Sequence, residues 1–453
     1  MDGRHEKRDR GGANTNLDAG VLVTPNPDLR TSAAKMLATL CPPEEARQRA
    51  RELGVVRRQG KVDAYALLVV VTLGLVTQGP VTIAQLGQLF ARCTGVSLAR
   101  SAFWSRLSPE FARLVAWLLD GAVADSRRNA PRPPGVLAVF RDVLVADASV
   151  QKVHDALRPV WKGTRKNSAA AALKIHAWIR AFTGELVKYR ITPEAFADCK
   201  AFGIDHDLRG TLMLFDRGYA SPSLWRRIDS VGGYFLTRIP AGWNPVVLSE
   251  NRRHRGRARK LAGMKLRDAL DGLHRSIVDV DCEFWCRVRG YAGAKSRKVS
   301  KTFRVLAIRH PSSGEYSLYA TNASQHLVAA RDVREVYRLR WEVETFFKTV
   351  KSGSALNEQP SQQPHIVEIL TRTALLRATL AMRVRAGLLG GARGRRDLRI
   401  NPHQWVRWWN ALRPEILSRL LGPMPALDMA QVLALLEDPN RQRRPTRYAF
   451  ADD

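Results

Sequence analysis

The stretch DVREVYRLRWEVETFFKTVKSG, Asp332 to Gly353, decides how the rest of the chain is read. Asp332 followed three residues on by Glu335 is the pattern of a capping box, and Gly353 is a natural stop, so the stretch predicts one continuous helix. On such a helix Tyr337, Arg340, Glu344, Lys348 and Lys351 share one stripe, with Glu344 ~40 degrees from Arg340 and ~20 degrees from Lys351. Glu342 falls on another face, ~160 degrees from Arg340, and Leu339, Val343 and Phe346 form the apolar side. A stripe of one carboxylate, three cations and a tyrosine hydroxyl can be an ordinary ion-paired surface. It also suits a site that holds a metal through the carboxylate and clamps phosphates beside it.

Working outward, two more acids follow apolar runs. Asp147 ends VLVAD and Asp216 ends TLMLFD. Short apolar runs between turns fit the central strands of a sheet covered by helices, and ligands favour the carboxyl edge of such strands. An aspartate there is costly unless something uses its charge, although aspartate is also a common turn former. Carboxylates at short range repel unless a cation shares them, and a hard ion such as magnesium prefers oxygen ligands. One or two such ions can activate a water or a 3′-hydroxyl against a phosphodiester. Asp147, Asp216 and Glu344 are therefore the expected catalytic acids and metal ligands, with magnesium the expected ion and manganese able to substitute. Tyr337, Arg340, Lys348 and Lys351 are the expected phosphate contacts.

The charge balance points the same way. Lysine plus arginine number 73 against 42 aspartate plus glutamate, a net +31 that argues against an ordinary metabolic-enzyme surface and for a polyanion partner. A chain of 453 residues can bury a core without disulfide or metal staples. Its five cysteines are scattered, and Cys282 and Cys286 have no second pair to complete a zinc site. The charged start, Met1 to Gly12, does not resemble a signal peptide, and the apolar run from Ala66 to Gly79 is too short for a confident membrane span. A cytoplasmic protein that makes no use of a membrane is expected, and composition alone does not separate DNA from RNA as the polyanion.

Texture divides the chain into a disordered arm over 1–30, a helical DNA-binding domain over 31–130, a core over 135–238 and 326–385, a β-rich insertion over 239–325, and a C-terminal helical region with a basic tail over 386–453. The proline-rich NAPRPPG, Asn129 to Gly135, marks the clearest boundary. Thr82 to Phe90, a turn at Thr94-Gly95, and a helix over Ser97 to Leu107 have the outline of a helix-turn-helix reader carrying Arg100 and Arg106. An all-helical packing domain would look similar. The run Arg252, Arg253, Arg255, Arg257, Arg259 and Lys260 is expected to grip DNA backbone, joined by Arg297, Lys298 and Lys301. Trp285 is either a base-stacking platform or, as its strand-like neighbours favour, part of the insertion's core. Arg407, Trp408 and Trp409 are candidates for dimer contacts, and His176 receives no role.

At these residues the chain resembles bacterial DDE transposases of the insertion sequence 4 family. YRLRWEVETFFKTVK matches the family signature Tyr-x2-Arg-x3-Glu-x6-Lys at Tyr337, Arg340, Glu344 and Lys351. FDRGYASPSLWRRIDSVGGYFLTRI, Phe215 to Ile239, is similar to the region around the family's second aspartate, with Asp-Arg-Gly-Tyr and then Phe235-Leu236 and Arg238. The resemblance implies a mixed α/β fold: a ribonuclease-H-like core interrupted by a mostly β insertion, for which residues 217–343 leave room, behind a helical N-terminal domain. It also implies binding of terminal inverted repeats and target DNA as double strands, magnesium-dependent cutting and joining of 3′-hydroxyl ends, and a homodimer in the synaptic complex. Two rival readings share parts of this pattern: a metal-dependent nuclease without strand transfer, and a transposase-derived regulator that binds DNA without catalysis.

Overall fold

The computed structural model describes residues 27–56, 60–74, 83–164, 170–201, 203–240, 242–251, 260–288, 296–352, 361–391 and 402–422. Strand β1 (Asp142–Lys152) is central to it. It pairs antiparallel with β2 (Ala172–Arg180), which pairs antiparallel with β3 (Leu186–Pro193). On its other side β1 runs parallel to β4 (Thr211–Phe215), and β4 runs parallel to β5 (Tyr234–Arg238). These five strands form a ribonuclease-H-like core. The near-continuous apolar character of β4, buried at every position, is what a strand covered on both faces requires.

The insertion does not fold as a separate sheet. Its strands β6 (Val246–Glu250), β7 (Ile277–Val288), β8 (Arg297–Arg309) and β9 (Tyr316–Thr321), with the short helix α8 (Leu266–Leu270) between β6 and β7, extend the same sheet in the order β3-β2-β1-β4-β5-β9-β8-β7-β6. The join is β9, which pairs antiparallel with β5. An aromatic cluster crosses it: Trp225, from α7 (Pro222–Ser230), stacks on Phe235 at 5.0 Å and meets Phe284 and Phe303 edge-on.

Strand alternation sorts the sheet into two cores. Leu144, Ala146, Met213 and Phe215 face Trp225 and the insertion. Val143, Val145, Leu212 and Leu214 face the helices, where Val343, Phe346 and Phe347 of α10 (Trp341–Ser352) and much of α11 (Pro364–Gly391) belong to one continuous core. The helices α1 (Pro27–Leu40), α2 (Pro43–Glu52), α3 (Ala64–Gly74), α4 (Ile83–Thr94), α5 (Arg100–Arg106) and α6 (Pro109–Arg128) join that core, with α6 packed along α11. Helix α12 (Pro402–Leu421) packs on α1 and α3. Helix α3, inside the apolar run noted above, is buried from Ala64 to Leu73, and no helix among the described residues is long and apolar enough to cross a membrane.

Two sequence expectations change here. The stretch from Asp332 to Gly353 is two helices, α9 (Val333–Arg338) and α10, with Gly353 outside the described residues. Between them the backbone tightens to three-residue bonds: Arg340 N to Tyr337 O at 3.0 Å and Glu342 N to Leu339 O at 3.1 Å. Each residue there advances ~120 rather than ~100 degrees, so α10 does not continue the phase of α9. Asp332 makes no side-chain cap, because its backbone is already helical, and Glu335 pairs with Arg338 at 2.9 Å instead. The second change concerns Asp147, which lies in the middle of β1 rather than at its end. Strand β1 outruns β4, whose pairing stops at Ala146↔Phe215, and continues along β2 to Lys152↔Ala172.

Candidate active site

The end of β4 builds the site. Where its pairing with β1 stops, Asp147 and Asp216 are the next residues on adjacent parallel strands. Alternation puts both on the helix-facing side, after Val145 and Leu214 respectively. Asp216 opens a tight turn, Arg217–Tyr219, and its carbonyl accepts the Tyr219 N–H at 3.0 Å. Asp147 accepts the Ala148 N–H at 2.8 Å. Burial pushes the Asp147 carboxyl up to about 6; Asp216 and Asp198 add to the push, and the Ala148 N–H and the Arg340 guanidinium oppose it.

Helix α10 supplies the third acid. Arg340 Nη2 donates to Glu344 Oε1 at 2.6 Å, and Arg340 Nη1 lies 3.8 Å from Asp147 Oδ2. One guanidinium is thus shared by a strand acid and a helix acid. Glu342 points elsewhere: its Oε2 is 3.5 Å from Arg385 Nη1 on α11. Lys351 is exposed and borders a small cleft with Ser149 and Gln151, on the same face of β1 as Asp147. Lys348 is exposed one turn earlier.

Tyr337 does not join this surface. It is buried, packed edge-on to Tyr319 at 5.1 Å, and its hydroxyl has no hydrogen-bond partner among the described residues. Burial raises that hydroxyl above the usual tyrosine range. Tyr337, expected as a phosphate contact, is packed within the core in this structure.

The donor set is all carboxylate oxygen, which suits a hard divalent ion. The raised Asp147 supports the fit, because a cation shared with Asp216 would relieve the repulsion that adds to its burial. Among the described residues, no three His, Cys, Asp or Glu side chains converge closely enough to grip an ion as they stand, and the cation that Asp147 and Glu344 share is Arg340.

The remaining predicted contacts come from other segments of the chain. Arg100 is exposed in the first turn of α5 and Arg106 half-buried in its last. Helix α5 is shorter than Ser97 to Leu107 and packs on α4 through Phe103, 6.0 Å from Phe90. Arg252, Arg253, Arg255, Arg257 and Arg259 lie outside the described residues, and Lys260 just after them is exposed. Trp285 is 60% exposed, against the expectation of a core role, because Phe284 and Cys286 on either side of it take the inward positions. Trp409 is buried beside Trp405, with Trp408 half-buried, so this aromatic run serves the core.

Sequence reading gave no role to several neighbours. Asp198 reaches Lys174 Nζ at 3.1 Å and His176 Nδ1 at 3.6 Å beside Asp147, and nothing in its local sequence, FADCK, announces this. His176 is fully buried, its Nε2 2.9 Å from Thr192 Oγ1. Arg217 and Arg238 line a cavity of about 540 Å³ with Arg267 and Tyr316, at the boundary between core and insertion. Trp341, inside the quoted helix, is 60% exposed and carries the Arg340 guanidinium 5.4 Å from its ring centre.

Comparison with known proteins converges on the same region. The Transposase DDE domain family matches residues 139–376, more than half of the chain and the whole span from Asp147 to Glu344. The transposase for insertion sequence element IS231F of Bacillus thuringiensis subsp. israelensis is 24% identical over 246 residues, 48% of this chain and 51% of that protein. The match thus spans about half the length of that relative. The transposase for IS231E of Bacillus thuringiensis subsp. finitimus is 20% identical over 333 residues, 67% of this chain and 69% of that one. Among solved structures, the piggyBac transposase synaptic complex with hairpin DNA covers 94% of this chain and 87% of its own at 9% identity, with a TM-score of 0.47. With a family match that encloses the strand acids and the helix acid of one ribonuclease-H-like sheet, the chain belongs to the DDE transposase family.

Proposed function

We propose that this chain is the transposase of a bacterial insertion sequence, acting in the cytoplasm on double-stranded DNA. It binds the element's terminal inverted repeats, cuts phosphodiester bonds at the element ends and joins the 3′-hydroxyl ends to target DNA, as a homodimer in the synaptic complex. The observation that carries this reading is the meeting of Asp147 and Glu344 on one guanidinium, with Asp216 on the adjacent parallel strand.

Asp147, Asp216 and Glu344 are the residues that would hold the divalent cation, magnesium with manganese able to substitute. When bound, that ion supplies charge stabilisation at the phosphate and a more acidic attacking water or hydroxyl. The chain's own side chains orient the DNA. Lys348 and Lys351 offer ammonium groups to backbone oxygens on the exposed face of α10, and Arg340 offers a planar fork that matches a phosphate. Arg100 and Arg106 are assigned to end recognition, and Lys260, the arginines from Arg252 to Arg259 and the exposed Trp285 to flanking DNA.

The test uses the full chain and a labelled fragment carrying the inverted repeats that flank its gene. Magnesium-dependent nicking at the repeat boundary, joining of the freed 3′ end to a plasmid, and loss of both in Asp216→Asn are the expected results. Nicking without joining would leave a nuclease. Full cleavage by Asp216→Asn would remove the site.

A further inference from the structure

We propose that Arg340 gates Glu344: its guanidinium stands in for the divalent cation, and a DNA phosphate that draws it away releases the Glu344 carboxylate to the cation site. The inference deepens the function proposed above and rests on it.

The geometry carries the argument. The Arg340–Glu344 contact is a charge-assisted bond of 2.6 Å between side chains 12% and 32% exposed. The same guanidinium reaches Asp147 at 3.8 Å, outside hydrogen-bond range but close enough for attraction. It therefore lies where an ion bridging Asp147 and Glu344 would have to lie. A guanidinium and a divalent ion repel, so the two occupants compete for one pair of acids.

An exit is also present. Trp341, next in sequence and 60% exposed, offers its ring 5.4 Å from the guanidinium carbon. A guanidinium can stack there while its fork turns outward to a phosphate. The site is outward-facing on that side, because Lys348 and Lys351 follow on the same helix and both are exposed. Phosphate and cation thus help each other: the first takes Arg340, the second takes the acids that Arg340 leaves. Linkage requires the help to be equal in both directions. The free protein should hold the ion poorly, and the DNA-bound protein should hold it well. A plain helix-surface pair between residues four apart predicts no such coupling.

The test is a manganese titration of the full chain by electron paramagnetic resonance, which counts bound ion without turnover. Wild type, Arg340→Gln, Glu344→Gln and the double variant form a cycle. Arg340→Gln is expected to bind manganese about tenfold or more tighter than wild type, within the usual range for coupled sites. Glu344→Gln should change affinity little while Arg340 is present and about tenfold once it is gone. Equal effects of Glu344→Gln in both backgrounds would overturn the gate. So would a Lys348→Gln variant that tightens binding as much as Arg340→Gln, since that points to bulk charge alone. Saturating wild type with the end duplex should bring its affinity up toward that of Arg340→Gln, and no change on adding DNA refutes the phosphate half. Asp216→Asn separates the two levels: no loss of affinity in the Arg340→Gln background would mean that these acids do not hold the ion, and the site reading falls before the gate does.

Discussion

Arg304 offers the sharpest test of how the site is held in place. Its guanidinium donates to both oxygens of Asp279, at 2.9 and 2.6 Å, and to the carbonyls of Ala323 and Val328 at 3.1 and 2.8 Å. The two side chains are 6% and 1% exposed. One residue thereby ties β7 and β8 to the loop that runs into α9 and on to Glu344. Replacing Arg304 by Met keeps most of the apolar stem but leaves a buried carboxylate unpaired. Removing one member of a buried pair typically costs about 3–5 kcal/mol, and the two stranded carbonyls put this case toward the upper end. Adding Asp279→Leu removes the orphaned charge. The double variant should recover most of the loss, less about 1 kcal/mol for the Asn251 amide that also donates to Asp279 at 3.2 Å. Guanidinium unfolding followed by tryptophan fluorescence reads this out. Midpoints of the transition should be compared, since a chain of this size need not unfold in one step. A double variant no more stable than Arg304→Met, or a single variant within about 1 kcal/mol of wild type, would refute the reasoning.

Three further outcomes are expected. Glu344→Gln should abolish metal-dependent cleavage of a labelled end while keeping most end binding, and Glu342→Gln, whose partner is Arg385, should keep substantial cleavage; the reverse pattern would place the helix acid wrongly. Burial holds the His176 imidazole down to about 4, below the usual 6.5, so the folded state binds fewer protons than the unfolded chain between those values. Its contribution is intact above about pH 6.5 and falls by up to about 3 kcal/mol as the pH drops toward 4, a slope that His176→Gln should remove when melting temperatures are compared across pH. Trp285→Ala should leave the melting temperature within a degree or two of wild type, as surface changes do, yet weaken duplex binding several-fold by fluorescence anisotropy; unchanged binding would leave the exposed ring without the role assigned to it.

The features legible in the sequence were those written in local pattern. VLVA and TLMLF read as strands because an internal strand must be apolar on both faces, and the acids that follow them are adjacent in the sheet. The split at Leu339-Arg340 was not legible, because no glycine or proline marks it and a tightened turn leaves the apolar spacing nearly unchanged. Nor was the mid-strand position of Asp147: only the partner's length shows that β4 stops early. The merging of the insertion with the core sheet depends on β5 meeting β9 across the 77 residues from 239 to 315, a long-range pairing that periodicity does not encode. The strand-like neighbours of Trp285 favour a core role, whereas its place in the alternation with Phe284 and Cys286 decides its face. Asp198 reaches Asp147's neighbourhood only because the turn that carries it packs on the turn after Asp216.

The joint between core and insertion has a consequence for how such a chain can change over evolutionary time. The insertion leaves from the end of β5 and returns by β9, which lies beside it through Leu236↔Thr321, Thr237↔Ala320 and Arg238↔Tyr319, with Ile239 N bonded to Leu318 O at 2.9 Å. Its point of departure and point of return are therefore neighbours. Whatever is threaded between them can lengthen, shorten or be exchanged, provided it delivers one strand beside β5 and a few aromatic rings against Trp225. Strands added beyond β9 lengthen the sheet without moving the ends of β1 and β4. The frame that carries the strand acids and the strands inserted beyond β5 are thus separable units of inheritance, fastened to each other by a short clasp.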